Sequence, residues 1–362
     1  MLKEQISNFI TKNETKLEIA FFVGGFIFDI WMLAAPDEIF SILQQLVYLL
    51  IIASLIHFEL LHRLNSWRPN GLIISKIWAY RTLGLHFLLG SLLSVYSLFY
   101  IKSSSIFSSL FFLAFMIALL FANELPQVKK SNVSLKVGLY SICLFSFLSI
   151  LFPILFGFVG FLPFLCAILT TLGLFYFQFL QLTKVLPNNP RLLKALLAPA
   201  GSILVIFFVF YFLGWIPPVP LSVKTQGIYH LVEKKDANYH LYYEPRWPAF
   251  LYSADSDFNA QPNDKIYFFA EIYSPARISD EVLIHWYQKL PNKGWMLADK
   301  IPLKFQGGRE KGYRGFAFKT NYTAGEWKIE VRTSSGIEIS RLYFDVISQP
   351  TSEIRNFTVI VK

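Results

Sequence analysis

Two hydrophobic patterns divide the chain. Between residue 17 and about residue 215, apolar side chains fall in long unbroken blocks, whereas from residue 222 onward they alternate with polar ones in short runs. A block of about 20 apolar residues is long enough to cross a hydrocarbon core of about 30 Å as a helix. Seven such blocks are present, at 17–36, 39–61, 82–101, 105–124, 136–156, 158–180 and 197–215. They predict an α-helical multi-pass membrane bundle of about seven transmembrane helices over 17–215, preceded by a short tail at 1–16.

After the last block comes Ile216-Pro217-Pro218-Val219-Pro220, whose prolines favour an extended, stiff segment. A linker over 216–224 is therefore expected, holding a domain of residues 225–362 off the bilayer. In that domain Ile266, Phe268, Ala270 and Ile272 alternate with Tyr267, Phe269, Glu271 and Tyr273, the period of a strand. Val282, Ile284 and Trp286 repeat the pattern, as do Trp327, Ile329 and Val331, whose partners Lys328, Glu330 and Arg332 are expected to face water. Ser334-Ser335-Gly336 reads as a hairpin turn. Beyond it the apolar parity switches between Ile339 and Leu342, which predicts a bulge near Ser340-Arg341. Short strands with turn signals and no helical periodicity predict an all-β sandwich of the Ig-like kind.

Composition strengthens the division. The chain of 362 residues is 54% hydrophobic, with 37 phenylalanines and only 16% charged residues. Its net charge of +9 does not mark a nucleic-acid partner, because residues 222–362 hold 19 Lys and Arg against 16 Asp and Glu, a surplus of only +3. The other cations mark orientation, since Lys and Arg near span ends are retained in the cytoplasm. The tail and the second, fourth and sixth connections carry 13 of them, from Lys3 to Lys194, and the alternate connections only Lys102. The N-terminus is thus expected in the cytoplasm and the β domain across the membrane. The first block lacks a good small-x-small cleavage site around Met32–Pro36, so it reads as a retained span. Trp67, Trp78, Tyr80 and Trp215 suit interfacial anchoring. Cys143 and Cys166 both lie in apolar blocks, so the β domain has no disulfide framework or zinc site.

The β domain resembles a bacterial envelope family, domain of unknown function 2914. The resemblance rests on Val282-Leu283-Ile284-His285-Trp286-Tyr287, Gly307-Gly308-Arg309 with Gly312-Tyr313-Arg314, Gly325-Glu326-Trp327-Lys328-Ile329-Glu330-Val331 and Tyr343-Phe344-Asp345-Val346, spanning about 265–347. It implies a β domain following a multi-helix membrane region, in the bacterial inner membrane with the domain in the periplasm. It implies no activity.

Candidate chemistry falls in three places. Glycines stand among Arg309, Lys311, Tyr313 and Arg314. A nucleotide phosphate loop would need a Gly-Lys-Ser/Thr ending that opens a helix, and β-forming residues follow instead. The arginines either bind an anion with their planar forks or pair with Glu310 and a neighbouring strand. His285 and Trp286 either bind a sugar or peptide, or divide between solvent and core. Trp247, Tyr242 and Tyr243 form a further aromatic cluster. Charged groups in lipid are costly, which singles out Asp29, His57, Glu59, His62, His86 and Glu124. His57 and His62 lie five residues and about 140° apart on a helix, so this is not the zinc-protease spacing.

No nucleophile motif, dinucleotide fingerprint or metal spacing is present. No catalytic residue, metal or cofactor is therefore assigned. The sequence favours a non-catalytic membrane protein that contacts the lipid bilayer and binds an envelope glycan, lipid headgroup or protein through its β domain. A second reading is an enzyme or transporter built from the polar residues of the bundle.

Overall fold

The computed structural model describes residues 35–64, 66–124, 133–187, 189–236, 238–245, 254–275, 279–306, 312–349 and 355–362, without the side chains of 106–108, 120–124, 279–280 and 304–306. These residues form two compact units. The helical unit holds the described residues up to Ile101 together with Phe111–Phe152 and Phe164–Trp215; the sheet unit holds Lys102–Leu110, Pro153–Pro163 and Ile216–Lys362.

The helices are α1 (Ile39–Arg63), α2 (Leu72–Ala79), α3 (Arg81–Lys102), α4 (Ile106–Glu124), α5 (Val133–Phe156), α6 (Phe161–Val185) and α7 (Pro190–Phe212). Five of them, α1, α3, α5, α6 and α7, are long and apolar enough to cross a membrane. The expected span at 105–124 appears as α4, whose apolar stretch of Ser109–Leu119 is shorter than those five. The expected span at 17–36 falls outside the described residues except for its last two. Helix α7 begins earlier than the apolar block, because Asn189 accepts a hydrogen bond from the Arg191 N–H and Pro190 occupies the first turn. Within the helical unit α5 is the most enclosed span, with 72% of its apolar window buried against 22% for α1. Phe145 on α5 meets Phe164 of α6 and Phe207 of α7 at ring separations of 5.7 and 4.5 Å.

Helix α2 was not expected from the blocks. Its sequence, LIISKIWA, is rich in β-branched residues with weak helical preference. Tertiary packing holds it: Trp78 is buried, edge-on to Trp67 at 4.9 Å and to His62 at 5.5 Å.

The sheet unit contains β1 (Ser222–Tyr229), β2 (Leu231–Lys235), β3 (Asn238–Tyr243), β4 (Asp257–Ala260), β5 (Ile266–Tyr273), β6 (Ser279–Leu290), β7 (Gly294–Gln306), β8 (Tyr313–Lys319), β9 (Gly325–Thr333), β10 (Glu338–Ser348) and β11 (Thr358–Val361). They form a three-stranded sheet β1-β5-β8, a five-stranded sheet β4-β10-β9-β6-β7 and a second three-stranded sheet β11-β3-β2. The predicted alternation is seen, with Ile266, Phe268, Ala270 and Ile272 joining Ile284, Trp286, Ile329 and Phe344 in one core. The opposite parity of β5 is not solvated, however. Phe269 and Tyr267 enter a second core with Tyr239, Leu241 and Tyr243 of the small sheet. The sandwich therefore carries a third layer, and β1-β5-β8 lies between the other two sheets.

The hairpin at Ser334–Gly336 has the expected αL glycine, Gly336 at φ 86°, and the bulge falls between Glu338 and Ser340, just before its predicted place. The proline segment departs from expectation. Residues 216–221 are buried, with turn bonds from Val219 N–H to Pro217 O and from Leu221 N–H to Pro218 O, and Leu221 lies in the core. It is a folded edge of the sheet unit and not an extended spacer, because its aliphatic side chains gain more from burial than the chain loses by turning. Val159 joins the same core, and the Ser105 hydroxyl donates to Glu338 at 2.6 Å, so two helix-connecting segments are built into this unit.

Replacing Trp286, fully buried in this core, by alanine is expected to destabilise the sheet unit by about 3–5 kcal/mol. Denaturant unfolding followed by near-UV circular dichroism measures the loss.

Candidate functional site

The outer face of the five-stranded sheet collects charged and aromatic side chains. With Trp286, Ile329 and Phe344 turned to the core, the alternate residues of β6, β9 and β10 must point the other way. Pairing places His285 opposite Glu330, Tyr287 opposite Lys328, Lys328 opposite Tyr343 and Lys289 opposite Trp295. Lys328 and Glu330, expected to face water, are instead buried.

Glu330 is the hub. Its carboxylate accepts from Lys328 at 2.6 Å, from Arg332 at 2.9 and 2.7 Å, and lies 3.2 Å from Arg341. Burial alone would raise its pKa, but hydrogen bonds and charge from Lys328 and Arg332 hold it below the ordinary value. Above it, the Lys328 ammonium lies 4.3 Å from the Tyr287 ring centroid and 5.2 Å from that of Trp295. Tyr343 packs against Trp295 at 5.6 Å, and its hydroxyl accepts from Arg341 at 3.2 Å. Tyr343 and Leu297 remain 40% and 52% exposed. The face thus offers rings on a rigid sheet, flanked by cations and carboxylates that are already oriented.

The residues singled out from sequence separate. Trp286 is wholly in the core, while His285 lies on the outer face with Nδ1 3.4 Å from the Tyr287 hydroxyl. Burial, then the charges of Arg332 and Lys300, lower the His285 pKa. Arg314 faces the small sheet, its guanidinium 5.7 Å from the Tyr239 ring centroid, and its backbone carbonyl accepts from the Tyr239 hydroxyl. Tyr313 packs against the main core, and burial raises its pKa. Arg309 lies outside the described residues, so the glycine-arginine segment is seen only from Gly312 onward. Trp295 and the burial of Lys328 were missed, because β6, β7, β9 and β10 meet only through long-range pairing.

Among the membrane candidates, Glu59 accepts from Arg63 at 2.8 Å and from Arg81 at 2.5 Å. His62 Nδ1 lies 3.2 Å from the Trp67 carbonyl, and His57 lines a cavity of about 560 Å³ with Tyr140, Gln178 and Gln181. His86 is half-buried in α3. Asp29 and the Glu124 side chain lie outside the described residues. Among the described residues no group of three His, Cys, Asp or Glu side chains is arranged to hold a metal ion.

Residues 279–346 match the model of a family described as "Protein of unknown function (DUF2914)". The match covers β6 to β10 and thus the whole charged and aromatic face. No curated protein matches the sequence. Among solved structures, the chain is similar to an immunoglobulin-like protein from Pseudomonas aeruginosa, at 11% identity over 33% of this chain and 96% of that one, with a TM-score of 0.20. It is similar to a beta-glucosidase from Listeria innocua at 12% identity, over 32% of this chain and 17% of that one, with a TM-score of 0.20. A beta-glucosidase from Kluyveromyces marxianus follows at 14% identity, over 42% of this chain and 18% of that one, with a TM-score of 0.17. The chain spans less than a fifth of either glucosidase. All three are weak, partial likenesses.

A second polar feature lies beside β4. His230 Nε2 and Asp255 Oδ2 face each other at 3.7 Å, both side chains buried, and neither atom has a hydrogen-bond partner among the described residues. Burial pushes Asp255 up to about 8 against the backbone N–H of Glu244, and burial with Arg355 pushes His230 down to about 4. At neutral pH the pair is a protonated carboxyl beside a neutral imidazole and not an ion pair. Between pH 6.5 and about 8 the folded chain keeps a proton on Asp255 that the unfolded chain has lost, so stability falls as pH rises through this window. Asp255→Asn should therefore be more stable than the parent at pH 8, by at most about 1.4 kcal/mol for each pKa unit of the shift. The advantage should shrink toward pH 6.5, as read from unfolding midpoints across the range.

Proposed function

We propose that this is a multi-pass protein of the bacterial inner membrane, its N-terminus cytoplasmic, whose sheet unit in the periplasm binds an envelope component without catalysis. The observation that carries the reading is the outer sheet face, where Tyr287, Trp295 and Tyr343 surround Lys328 above the Glu330 ion cluster. Among envelope components a glycan fits best. Ring faces stack on sugar C–H groups, and neighbouring Lys289, Glu326 and Arg341 supply donors and acceptors. The five apolar helices and the cation asymmetry support the membrane orientation. The sheet unit also takes in Lys102–Leu110 and Pro153–Pro163, which hold the third and fifth connections, the ones expected on the far side from the cytoplasm.

Two measurements test this. Fusing a periplasm-active reporter after Lys362 should give signal in intact cells; signal only from a cytoplasm-active reporter would remove the proposed compartment. Substituting Tyr287, Trp295 and Tyr343 together by alanine should lower retention of the purified protein on cell-wall glycan by about tenfold or more. Unchanged retention would rule out this face as the binding surface.

A further inference from the structure

A sheet edge is a row of unpaired backbone groups that a second strand can complete, and folded proteins blunt such edges with charge or proline. The described edge strands of the sheet unit follow this rule with one exception. β1 carries Lys224, β2 ends in Lys234 and Lys235, β4 starts at Asp257, β7 contains Pro302 and β8 ends in Lys319. β11, Thr-Val-Ile-Val over Thr358–Val361, has no charged residue and no proline, and it forms the edge of the sheet β11-β3-β2.

The register of β11 on β3 decides which of its backbone groups are free. Tyr239 and Lys362 exchange both backbone hydrogen bonds. In an antiparallel ladder Ile360 with Leu241 and Thr358 with Tyr243 then bond in the same way, and the alternate residues Val359 and Val361 direct their N–H and C=O groups away from β3. No described strand lies against those groups. The Val359 and Val361 side chains are 42% and 54% exposed on the outer face of the small sheet, while Ile360 packs against the second core.

We propose that β11 pairs antiparallel with β11 of a second copy of this chain, joining two small sheets into one continuous sheet. Opposed residues of an antiparallel pair share a face, so their positions must be of equal parity. The register that uses only residues already in the ladder centres on Ile360. Val359 of each copy then exchanges both backbone bonds with Val361 of the other, and Thr358 lies opposite Lys362. The two Ile360 side chains meet on the inner face and prolong the second core from one copy into the next. Apolar side chains thus oppose apolar ones and no like charges face each other. An unrelated strand would meet the same backbone groups, but the two-fold match of Val359 to Val361 is specific to a second copy. A strand this short buries less area than a stable interface needs by itself, and confining both copies to one bilayer through the five apolar helices raises their effective concentration. The pairing does not depend on what the five-stranded sheet binds.

In membranes holding both a Val359→Cys chain and a Val361→Cys chain, an added thiol oxidant should give a disulfide-linked dimer. The Cα atoms of a hydrogen-bonded antiparallel pair lie about 5.5 Å apart, within disulfide range. Either variant alone should cross-link about tenfold less, because its own mate lies diagonally across the pair and beyond that range. The parent gives the baseline from Cys143 and Cys166. Full chains carrying fluorophores at Met1 should show energy transfer between copies in lipid vesicles. Val359→Lys with Val361→Lys, at two exposed edge positions, should raise the dissociation constant of that dimer by about tenfold or more. Should the lysine variant fail to fold, the cysteine pair still decides the matter. Cross-linking of the mixed membranes no stronger than of either variant alone, or a folded lysine variant as dimeric as the parent, would overturn the pairing. Absence of energy transfer between parent copies would also overturn it and leave the edge to a strand of another protein.

Discussion

The architecture of the sheet unit depends on one strand that buries large apolar side chains on both faces. β5 buries Ile266, Phe268, Ala270 and Ile272 on one side and Phe269 on the other. A strand apolar on both faces needs two covers, and here each is a different sheet. The five-stranded sheet supplies one cover through Trp286, Trp327 and Phe344; the small sheet supplies the other through Tyr239, Leu241 and Tyr243. Because the first cover turns its apolar parity inward, its remaining side chains are forced outward together. The charged and aromatic face is thus a consequence of how β5 is buried.

Both units answer the problem of buried charge in the same way. Glu330 in the sheet unit and Glu59 in the helical unit are each nearly inaccessible and each is held by at least two cations. Taking a carboxylate out of water costs several kcal/mol, so it is tolerated only where hydrogen bonds from partners occupy its lone pairs. The two clusters differ in their partners. Around Glu330, Arg341 also reaches Glu338 at 2.6 Å, and aromatic rings take up Lys328. Around Glu59 the two arginines come from its own helix and from α3. The sheet cluster thereby underlies the surface of rings above it.

His230 and Asp255 show the opposite solution. Burial without enough donors leaves them uncharged, and their electrostatic cost appears as a dependence of stability on pH. The same low dielectric therefore gives charged hubs where cations converge and a neutral pair where they do not.

Much of this organisation follows from local pattern. Block length decided where the long apolar helices lie, because crossing hydrocarbon sets a minimum run of residues, and period-two alternation decided which residues of β5, β6 and β9 face the core. Turn chemistry at Ser334–Gly336 and the nearby bulge were likewise legible. Local pattern could not show α2, whose β-branched sequence is helical only because Trp78 is anchored by Trp67 and His62. Nor could it show that the proline segment folds into a core or that the second face of β5 is covered. The pairings of Lys328 with Tyr287 and Trp295, and of Glu59 with Arg81, join residues far apart in the chain. Period and length are properties of a segment and can be read along it, whereas the partner of a buried charge is set by which segments meet, and only the tertiary structure decides that.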